Sequence, residues 1–344
     1  MYPVPAMPPP PTAKMESTSA TKPRQTLRGH IDWISGVAHL PDGRRIITCS
    51  VDGSLRLWDI ESGTQIGDDL HDGRNWRTHS IALSPNGKTV ASGNMDGKVR
   101  LWDVEMKKVV ATWIGDTHSV DSLCWSVDGE RVVGGCNDGH ATIRAWDVES
   151  GNIVLGPIKT GHWDMPVLIY SPDTTKIATG GAEENALKIW DAKTGNLLST
   201  IKHDDKVWSL AWTSDQKKLI TGSRGGSIRI FDTTTWQQIA ILKGHTDDVL
   251  SLSLFQNDRL LASGSYDKTA RLWNLDTNLP VGPPLQHQGA VESAAISTDG
   301  KLLVTGGDKE AYVWDVHTTL KDAGLEELLS ILDVSVNRLL ILSH

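Results

Sequence analysis

The sequence predicts an all-β fold, a seven-bladed β-propeller with a disordered N-terminal leader and a short C-terminal tail capable of forming a helix. Two observations lead to this prediction. A Trp-Asp pair, or a close variant of it, recurs at intervals of 41 to 44 residues, and each interval contains short apolar runs separated by tight turns. A period of about 40 to 45 residues is typical of one four-stranded propeller blade. The pairs are Trp58-Asp59, Trp102-Asp103, Trp146-Asp147, Trp190-Asp191, Phe231-Asp232, Trp273-Asn274 and Trp314-Asp315.

The leader differs from the rest of the chain in composition. Residues 1–24 contain seven of the 15 prolines, including the run from Pro8 to Pro11. This composition favours a disordered or polyproline II segment. Such a segment can dock an SH3 or WW module, but a solvated tail is the simpler interpretation. We therefore divide the chain into a leader (1–24), a propeller (25–316) and a tail (317–344).

Each predicted blade contains hairpin signals. Pairs such as Asp42-Gly43 and Asp299-Gly300 readily supply the positive φ angles that tight turns require, and an apolar run follows each pair. Residues 25–316 show no sustained helical periodicity. Because each repeat starts with the outer strand of the preceding blade, we expect the segment from Gln25 to Arg28 to complete blade seven. That strand would close the ring and remove its open edges.

The C-terminal tail has a different pattern. Leu325, Leu328, Leu329 and Leu332 have helical spacing. The segment from Leu325 to Leu329 also fits the LxxLL pattern of a co-regulator helix. We favour an amphipathic cap that packs on the ring, or a poorly ordered end, over a free recognition helix.

Composition excludes several classes of function. The net charge is −8 and no Lys/Arg run exceeds two residues, so we expect no nucleic-acid binding. Cys49, Cys124 and Cys136 are too few and scattered for a disulfide framework, which fits a reducing compartment. No apolar run approaches the ~20 residues that span a bilayer. We expect a cytoplasmic protein that makes no membrane contact, and leave entry to the nucleus open.

Gly-His pairs precede three of the tryptophans by the same distance. His30, His162 and His245 each lie 28 residues before the Trp of their repeat. With the recurring Trp-Asp pairs, these histidines make the chain resemble the WD-repeat family over residues 25–316. The resemblance implies a network of Trp, Ser/Thr, His and Asp that ties each blade together. The complete sets are His30, Thr48, Asp52 and Trp58 in blade one, His245, Ser263, Asp267 and Trp273 in blade six, and His287, Thr305, Asp308 and Trp314 in blade seven.

Four blades depart from this network, and we expect them to be tied less tightly, blades three and five least. Blade two keeps Ser92, Asp96 and Trp102 but lacks an aligned histidine. The other departures are Arg74 for histidine in blade two with His71 displaced, Gly134 for the hydroxyl residue in blade three, Glu183 for aspartate in blade four, and Gly225 and Phe231 for aspartate and tryptophan in blade five.

The same residue types predict no enzyme. Catalytic triads occur once per active site, whereas these Ser/Thr, His and Asp residues recur beside a tryptophan in several repeats. Gly87-Lys88-Thr89 resembles the end of a phosphate loop, but Ala82 stands where such a loop needs glycine. Cys136 and His140 lack further metal ligands at fixed spacing. We therefore expect no catalytic residues, no metal and no cofactor.

The resemblance implies a binding surface on the face around the central channel where the loops lead into each blade. Three positions per blade contribute: the third and fifth residues after the Gly-His histidine, and the residue before the network aspartate. Blade four is one residue short there, which leaves only Trp163 for consideration. The candidate partner-binding residues are Trp33, Arg77, His79, Met95, Asp121, Lys206, Trp208, Arg224, Asp248, Leu250, Tyr266 and Glu292. Aromatic and large apolar groups at a rim are typical interaction anchors.

These features favour a non-enzymatic scaffold that binds other proteins or peptides, monomeric within a larger complex. One alternative is a substrate receptor of a cullin-type ubiquitin ligase. In this family such receptors often carry Trp-Asp-x-Arg, whereas the nearest match here ends in Lys193. Another alternative is a detached sensor module like the WD arrays of STAND signalling NTPases. A heterotrimeric G-protein β subunit is disfavoured because the proline-rich leader cannot form a long coiled-coil helix.

Overall fold

The computed structural model describes residues 22–71, 76–115, 118–162, 167–182 and 186–330. Within these ranges, 28 strands form seven four-stranded antiparallel sheets. Six sheets each use four consecutive strands, and the seventh combines the last three strands with the first. The predicted all-β, seven-bladed propeller is therefore confirmed.

In six blades the strands run in sequence order from the central channel outwards, and in the seventh the first strand of the chain lies outermost. Blades one to three contain β2 (Ile34–His39), β3 (Arg45–Ser50), β4 (Leu55–Asp59) and β5 (Thr64–Gln65); β6 (Thr78–Leu83), β7 (Thr89–Asn94), β8 (Lys98–Asp103) and β9 (Lys108–Ile114); and β10 (Ser119–Trp125), β11 (Arg131–Asn137), β12 (Thr142–Asp147) and β13 (Ile153–Lys159). Blades four and five contain β14 (Val167–Tyr170), β15 (Lys176–Gly180), β16 (Ala186–Asp191) and β17 (Leu197–Lys202); and β18 (Val207–Trp212), β19 (Lys218–Ser223), β20 (Ile228–Asp232) and β21 (Gln238–Leu242). Blade six contains β22 (Val249–Leu254), β23 (Leu260–Ser265), β24 (Thr269–Asn274) and β25 (Leu279–Gln286), and blade seven contains β26 (Val291–Ile296), β27 (Leu302–Gly307), β28 (Glu310–Asp315) and β1 (Gln25–Arg28).

The ring is closed by the first strands of the blades. Each of these strands contacts the first strand of the next blade, and β26 contacts β2. The apolar core lies between neighbouring blades, so Trp58 of blade one packs with Val304 and Val313 of blade seven. Sheets covered on both faces in this way allow the second strand of a blade to be buried almost throughout, as β3 is.

The outer strand of blade seven comes from the opposite end of the chain. In β1, Gln25 pairs with Val313 and Arg28 with Glu310, as the sequence predicted. Leu27 is buried against the core shared by blades seven and one. The Arg28 Nε atom also donates to the Glu310 carboxylate at 2.7 Å.

The predicted turns depend on a single positive φ angle. Gly43 has φ +69° and Gly300 has φ +71°, whereas the aspartate before each glycine keeps a negative φ. Asp42 instead uses its carboxylate, which accepts hydrogen bonds from the backbone N–H groups of Arg44 and Arg45 at 2.9 Å. Aspartate therefore shapes these turns by side-chain capping, and glycine supplies the left-handed conformation.

Helical structure in the tail begins nearer to the propeller than the leucine spacing predicts. Helix α1 spans Val316–Asp322, and the Asp315 carboxylate accepts from the Thr318 N–H at its start. A 3₁₀ helix follows at Glu326–Leu329, with Leu328 fully buried. Asn257 donates to the Leu328 carbonyl at 2.6 Å. The leucine segment thus packs on blades six and seven as a cap, while Leu332 lies outside the described residues.

Candidate partner-binding site

Among the described residues, blades one and six contain the complete hydrogen-bonded network. In blade one, His30 contacts the Asp52 carboxylate at 2.9 Å and the Thr48 hydroxyl at 2.8 Å, and Trp58 donates to the same hydroxyl at 2.9 Å. Asp52 also accepts from the Ile31 N–H. Burial alone would raise the pKa of Asp52, but hydrogen bonds from His30 and Ser54 hold it below its usual range.

Blade six repeats this geometry. His245 contacts Asp267 at 2.8 Å and Ser263 at 2.7 Å, and Trp273 donates to Ser263 at 2.8 Å. Asp267 accepts from the Thr246 N–H at 3.0 Å. In both blades the aspartate therefore joins the loop after the second strand to the loop before the first strand. The predicted networks of blades one and six are confirmed.

In blade seven, the predicted contact between Asp308 and the network histidine is wrong. His287 contacts Thr305 at 2.7 Å, and Trp314 donates to Thr305 at 2.8 Å, but the other His287 nitrogen contacts the Leu285 carbonyl at 3.0 Å. The cause is a shortened connection, because only two residues separate β27 from β28. The aspartate is consequently displaced from the histidine.

Blade two also differs from its predicted network. Trp102 donates to the Ser92 hydroxyl at 2.8 Å as expected, but Asp96 forms a two-pronged ion pair with Arg100. An amide replaces the histidine contact, since Asn94 donates to Ser92 at 3.2 Å. His71 is described, whereas the aligned Arg74 lies outside the described residues.

Within the described residues, blades three and five have reduced networks, as the sequence predicted, whereas the prediction for blade four stays untested. In blade three, Trp146 packs directly over Gly134 and its Nε1 atom points to the Ile114 carbonyl at 3.4 Å. In blade five, the second nitrogen of His203 contacts the Asp205 carbonyl at 2.7 Å. Blade four keeps the tie from Trp190 to its threonine at 3.0 Å, and its Glu183 lies outside the described residues.

In six blades, a β-bulge at the start of the first strand changes the direction of one side chain. In β26, Val291 pairs with Gly307 and Ser293 with Gly306, which leaves Glu292 as the extra residue. An unpaired bulge residue directs its side chain away from the regular pleat. The bulge residues are Ser35, His79, Asp121, Trp208, Leu250 and Glu292. The described part of β14 in blade four has no register shift, which agrees with its missing residue in the sequence.

All six bulge residues line one cavity of about 490 Å³ at the mouth of the central channel. We call the surface around it the mouth face; it consists of the loops before the first strands and those between the second and third strands. Its volume falls within the range of about 300 to 1,000 Å³ typical of ligand pockets. Other lining residues from the predicted positions are Trp33, Val51 and Arg77.

Pairs of predicted positions are joined across the rim. The residue before the network aspartate donates its backbone N–H to the carbonyl of the third residue after the histidine, at 2.9 Å in each case. The pairs are Val51 with Trp33, Met95 with Arg77, Arg224 with Lys206, and Tyr266 with Asp248. Trp33, Met95 and Tyr266 are 52%, 51% and 48% exposed, so three large side chains face solvent here. Trp163 lies outside the described residues.

Polar groups around the mouth carry both charges. His79 lies 4.0 Å from the Asp121 carboxylate, and the Lys206 ammonium stands 3.6 Å from the centre of the Trp208 ring. Asp248 accepts a hydrogen bond from the Gly225 N–H at 3.0 Å. This composition allows both ionic and apolar contacts with a partner.

Sequence reasoning missed a set of serines that follow the bulges. The Ser293 hydroxyl accepts from the Val37 N–H at 3.1 Å, and Ser251 accepts from Ala294 at 3.0 Å. Ser209 instead donates to the Val249 carbonyl at 3.0 Å. Each bond joins the first strands of adjacent blades. The signal was present in the sequence as a serine recurring after the bulge position in five repeats.

The described residues contain no group of His, Cys, Asp and Glu side chains that could hold a metal ion. Among the same residues, no helix is sufficiently long and apolar to cross a membrane.

The comparisons with known proteins agree with this geometry. A model described as "WD domain, G-beta repeat" matches residues 21–59, 71–103, 107–147, 195–232, 236–274 and 283–315. The first three strands of blade four, β14 to β16, fall between the third and fourth matched segments.

Several curated proteins are similar to the chain. "Cell division cycle 20.1, cofactor of APC complex" from Arabidopsis thaliana is 28% identical over 268 residues, which cover 75% of this chain and 58% of that protein. Human "Apoptotic protease-activating factor 1" is 28% identical over 83% of this chain and 19% of that protein. "Ribosome biogenesis protein WDR12 homolog" from Chlamydomonas reinhardtii is 27% identical over 73% of this chain and 54% of that protein. The chain thus spans little more than half the length of these relatives at most, and its matched repeats show that it belongs to the WD40 repeat family.

Proposed function

We propose that this chain is a non-enzymatic adaptor that binds protein or peptide partners on its mouth face. The observation that carries the proposal is the single cavity lined by bulge residues from six blades. WD40 propellers are typically non-catalytic adaptors, which supports the same class of function.

The rim supplies suitable anchors for a partner. Trp33, Met95 and Tyr266 are exposed, while Trp208 and Leu250 are half-buried at the cavity wall. Large side chains of this kind dominate binding energies when a partner excludes water around them. The backbone bonds across the rim hold their loops in place, which reduces the entropy lost on binding.

Proximity labelling in cells tests the proposal. The Trp208→Ala/Tyr266→Ala variant should lose most of the partners that wild type labels. A matched control, Leu197→Ala/Ile239→Ala, removes exposed apolar side chains from the outer strands β17 and β21 and should keep them. Melting temperatures must show that both variants remain folded. Equal labelling by the two variants would reject the mouth face.

The same experiment separates the more specific roles. Ligase subunits among the labelled proteins would support the substrate-receptor alternative, although Lys193 occupies the arginine position of the Trp-Asp-x-Arg motif. Labelling of a signalling NTPase would support the sensor-module alternative. The similarity to a limited part of apoptotic protease-activating factor 1 is the observation that favours this second candidate.

A further inference from the structure

Glu292 differs from the other charged residues at the mouth. Its side chain lines the cavity from the bulge of β26. Among the described residues, no hydrogen bond or ion pair reaches its carboxylate. Burial raises the pKa of Glu292, and no neighbouring charge offsets this effect. Glu292 is half-buried, and a partly desolvated carboxylate without a partner is unfavourable, so a cation placed beside it would stabilise its charged form.

Among the described residues, no other charged side chain at the cavity forms an ion pair with Glu292. Asp121 lies 4.0 Å from His79. Arg77 lines the same cavity but is exposed to water on blade two, and no ion pair joins it to Glu292 within the described residues. Lys206 stands over the Trp208 ring. Glu292 therefore faces the cavity as an acidic group without a cationic partner.

Apolar side chains line the cavity on either side of Glu292, together with Ser35 of blade one and Ser251 of blade six. Leu250 of blade six and Val37 of blade one both line the cavity, and these blades flank blade seven. Trp208 of blade five extends the apolar wall beyond Leu250. A long side chain with an apolar stem and a cationic end matches this arrangement, as lysine and arginine side chains do.

We infer that the mouth cavity takes a lysine or arginine side chain of the partner, with its charged end paired to Glu292 and its stem along Leu250 and Val37. The inference rests on the proposed function, because it specifies what the mouth face recognises. It makes Glu292 a specificity-determining residue, while the exposed aromatic residues of the rim contribute general affinity.

Selection from a random peptide library displayed on phage tests the inference with the full-length chain. Enriched peptides should share a basic residue, and its replacement by glutamine in synthetic peptides should weaken binding about tenfold or more, the value of a charge-assisted hydrogen bond. The Glu292→Gln variant should lose this preference for the basic peptide. The control Glu61→Gln removes an exposed carboxylate from a turn at the opposite face and should keep it.

The outcomes separate the two proposals. If peptide binding depends on Trp208 and Tyr266 but not on a basic residue or on Glu292, this inference is overturned while the mouth face remains the binding surface. If the Trp208→Ala/Tyr266→Ala variant binds the enriched peptides as wild type does, or if no peptide is enriched, both proposals are contradicted. An unchanged melting temperature of Glu292→Gln shows that lost binding does not reflect unfolding.

Discussion

Blades one and six differ from blades three and five in how their mouth-face loops are held. In blade one, Asp52 binds both His30 and the Ile31 N–H, and in blade six Asp267 makes the equivalent bonds. In blade five, His203 contacts the backbone of its own loop instead. Blade five still joins its two mouth-face loops through the backbone bond from Arg224 to Lys206, so a complete network adds a side-chain connection to a backbone connection that both kinds of blade share. Trp33 and Tyr266 both belong to the blades with complete networks.

Opening the ring by deletion of β1 should lower the melting temperature more than any other change considered for this comparison. Deleting residues 1–28 removes β1 and with it the buried Leu27 and every backbone bond from β1 to β28. We expect a large fall in melting temperature, because the blade-one and blade-six networks cannot replace a missing strand. Deleting residues 1–20 should leave the melting temperature unchanged. Equal melting temperatures for the two truncations would contradict ring closure by β1.

A matched pair of Thr→Val substitutions compares the networks directly. Thr48→Val in blade one deprives both His30 and Trp58 of their partner, so we expect a loss of about 2 to 4 kcal/mol of unfolding free energy. Thr221→Val in blade five deprives only His203, because Phe231 has no N–H group, and should cost about 1 to 2 kcal/mol. Urea unfolding measures both values. Equal losses would show that the tryptophan bond adds nothing.

Blade three offers a test in the opposite direction. Gly134→Ser restores the hydroxyl-bearing residue, but the new Cβ would meet the Trp146 ring at 2.9 Å and Leu123 at 3.1 Å. We expect destabilisation of about 1 to 3 kcal/mol, the usual result of overpacking. A rise in stability would indicate that the Trp146 indole can return to the standard network position. Thermal unfolding distinguishes these results.

The smallest expected effect is a loss of stability as the pH falls. Burial lowers the pKa of His287 from 6.5 to about 4, although the Leu285 carbonyl opposes this change. The unfolded chain therefore binds a proton first as pH falls, and stability declines below pH 6.5. Between pH 7 and 5.5 this histidine should account for about 1 kcal/mol. His287→Gln should reduce the pH dependence by that amount, and an unchanged pH dependence would contradict burial of the neutral ring.

At lower pH, protonation of the network aspartates causes a second loss of stability. Hydrogen bonds overcome the effect of burial and lower the pKa values of Asp52 and Asp267 below the ordinary 3.8. Stability from these carboxylates is present above that value and is lost as pH falls through their lower pKa values.

The sequence predicted the features that depend on repeated residues. The blade number, ring closure by β1 and the complete networks of blades one and six all follow from periodic spacing. Asp308 was wrongly assigned because the network depends on loop length, and the two-residue connection in blade seven moves the aspartate away from His287. The start of α1 at Val316 was missed because capping by Asp315 and packing of Leu320, rather than leucine spacing, determine that helix.

For the binding site, sequence positions predicted which residues lie near the mouth but not the direction of their side chains. The β-bulge explains the direction, since it places Trp208, Leu250 and Glu292 on the cavity wall. Single residue types do not reveal a bulge, because it appears only as a register shift between paired strands. The serine that follows the bulge in five of the six blades is a sequence signal that marks it.

Hydrogen exchange of the ring, with and without a partner recovered by proximity labelling, tests the central claim most directly. We expect the partner to protect amides near Trp33, at the starts of β18, β22 and β26, and near Tyr266. Amides of the outer strands β17 and β21 should exchange at unchanged rates. Protection confined to these outer strands, with none around the mouth cavity, would contradict the assignment of the mouth face as the binding surface.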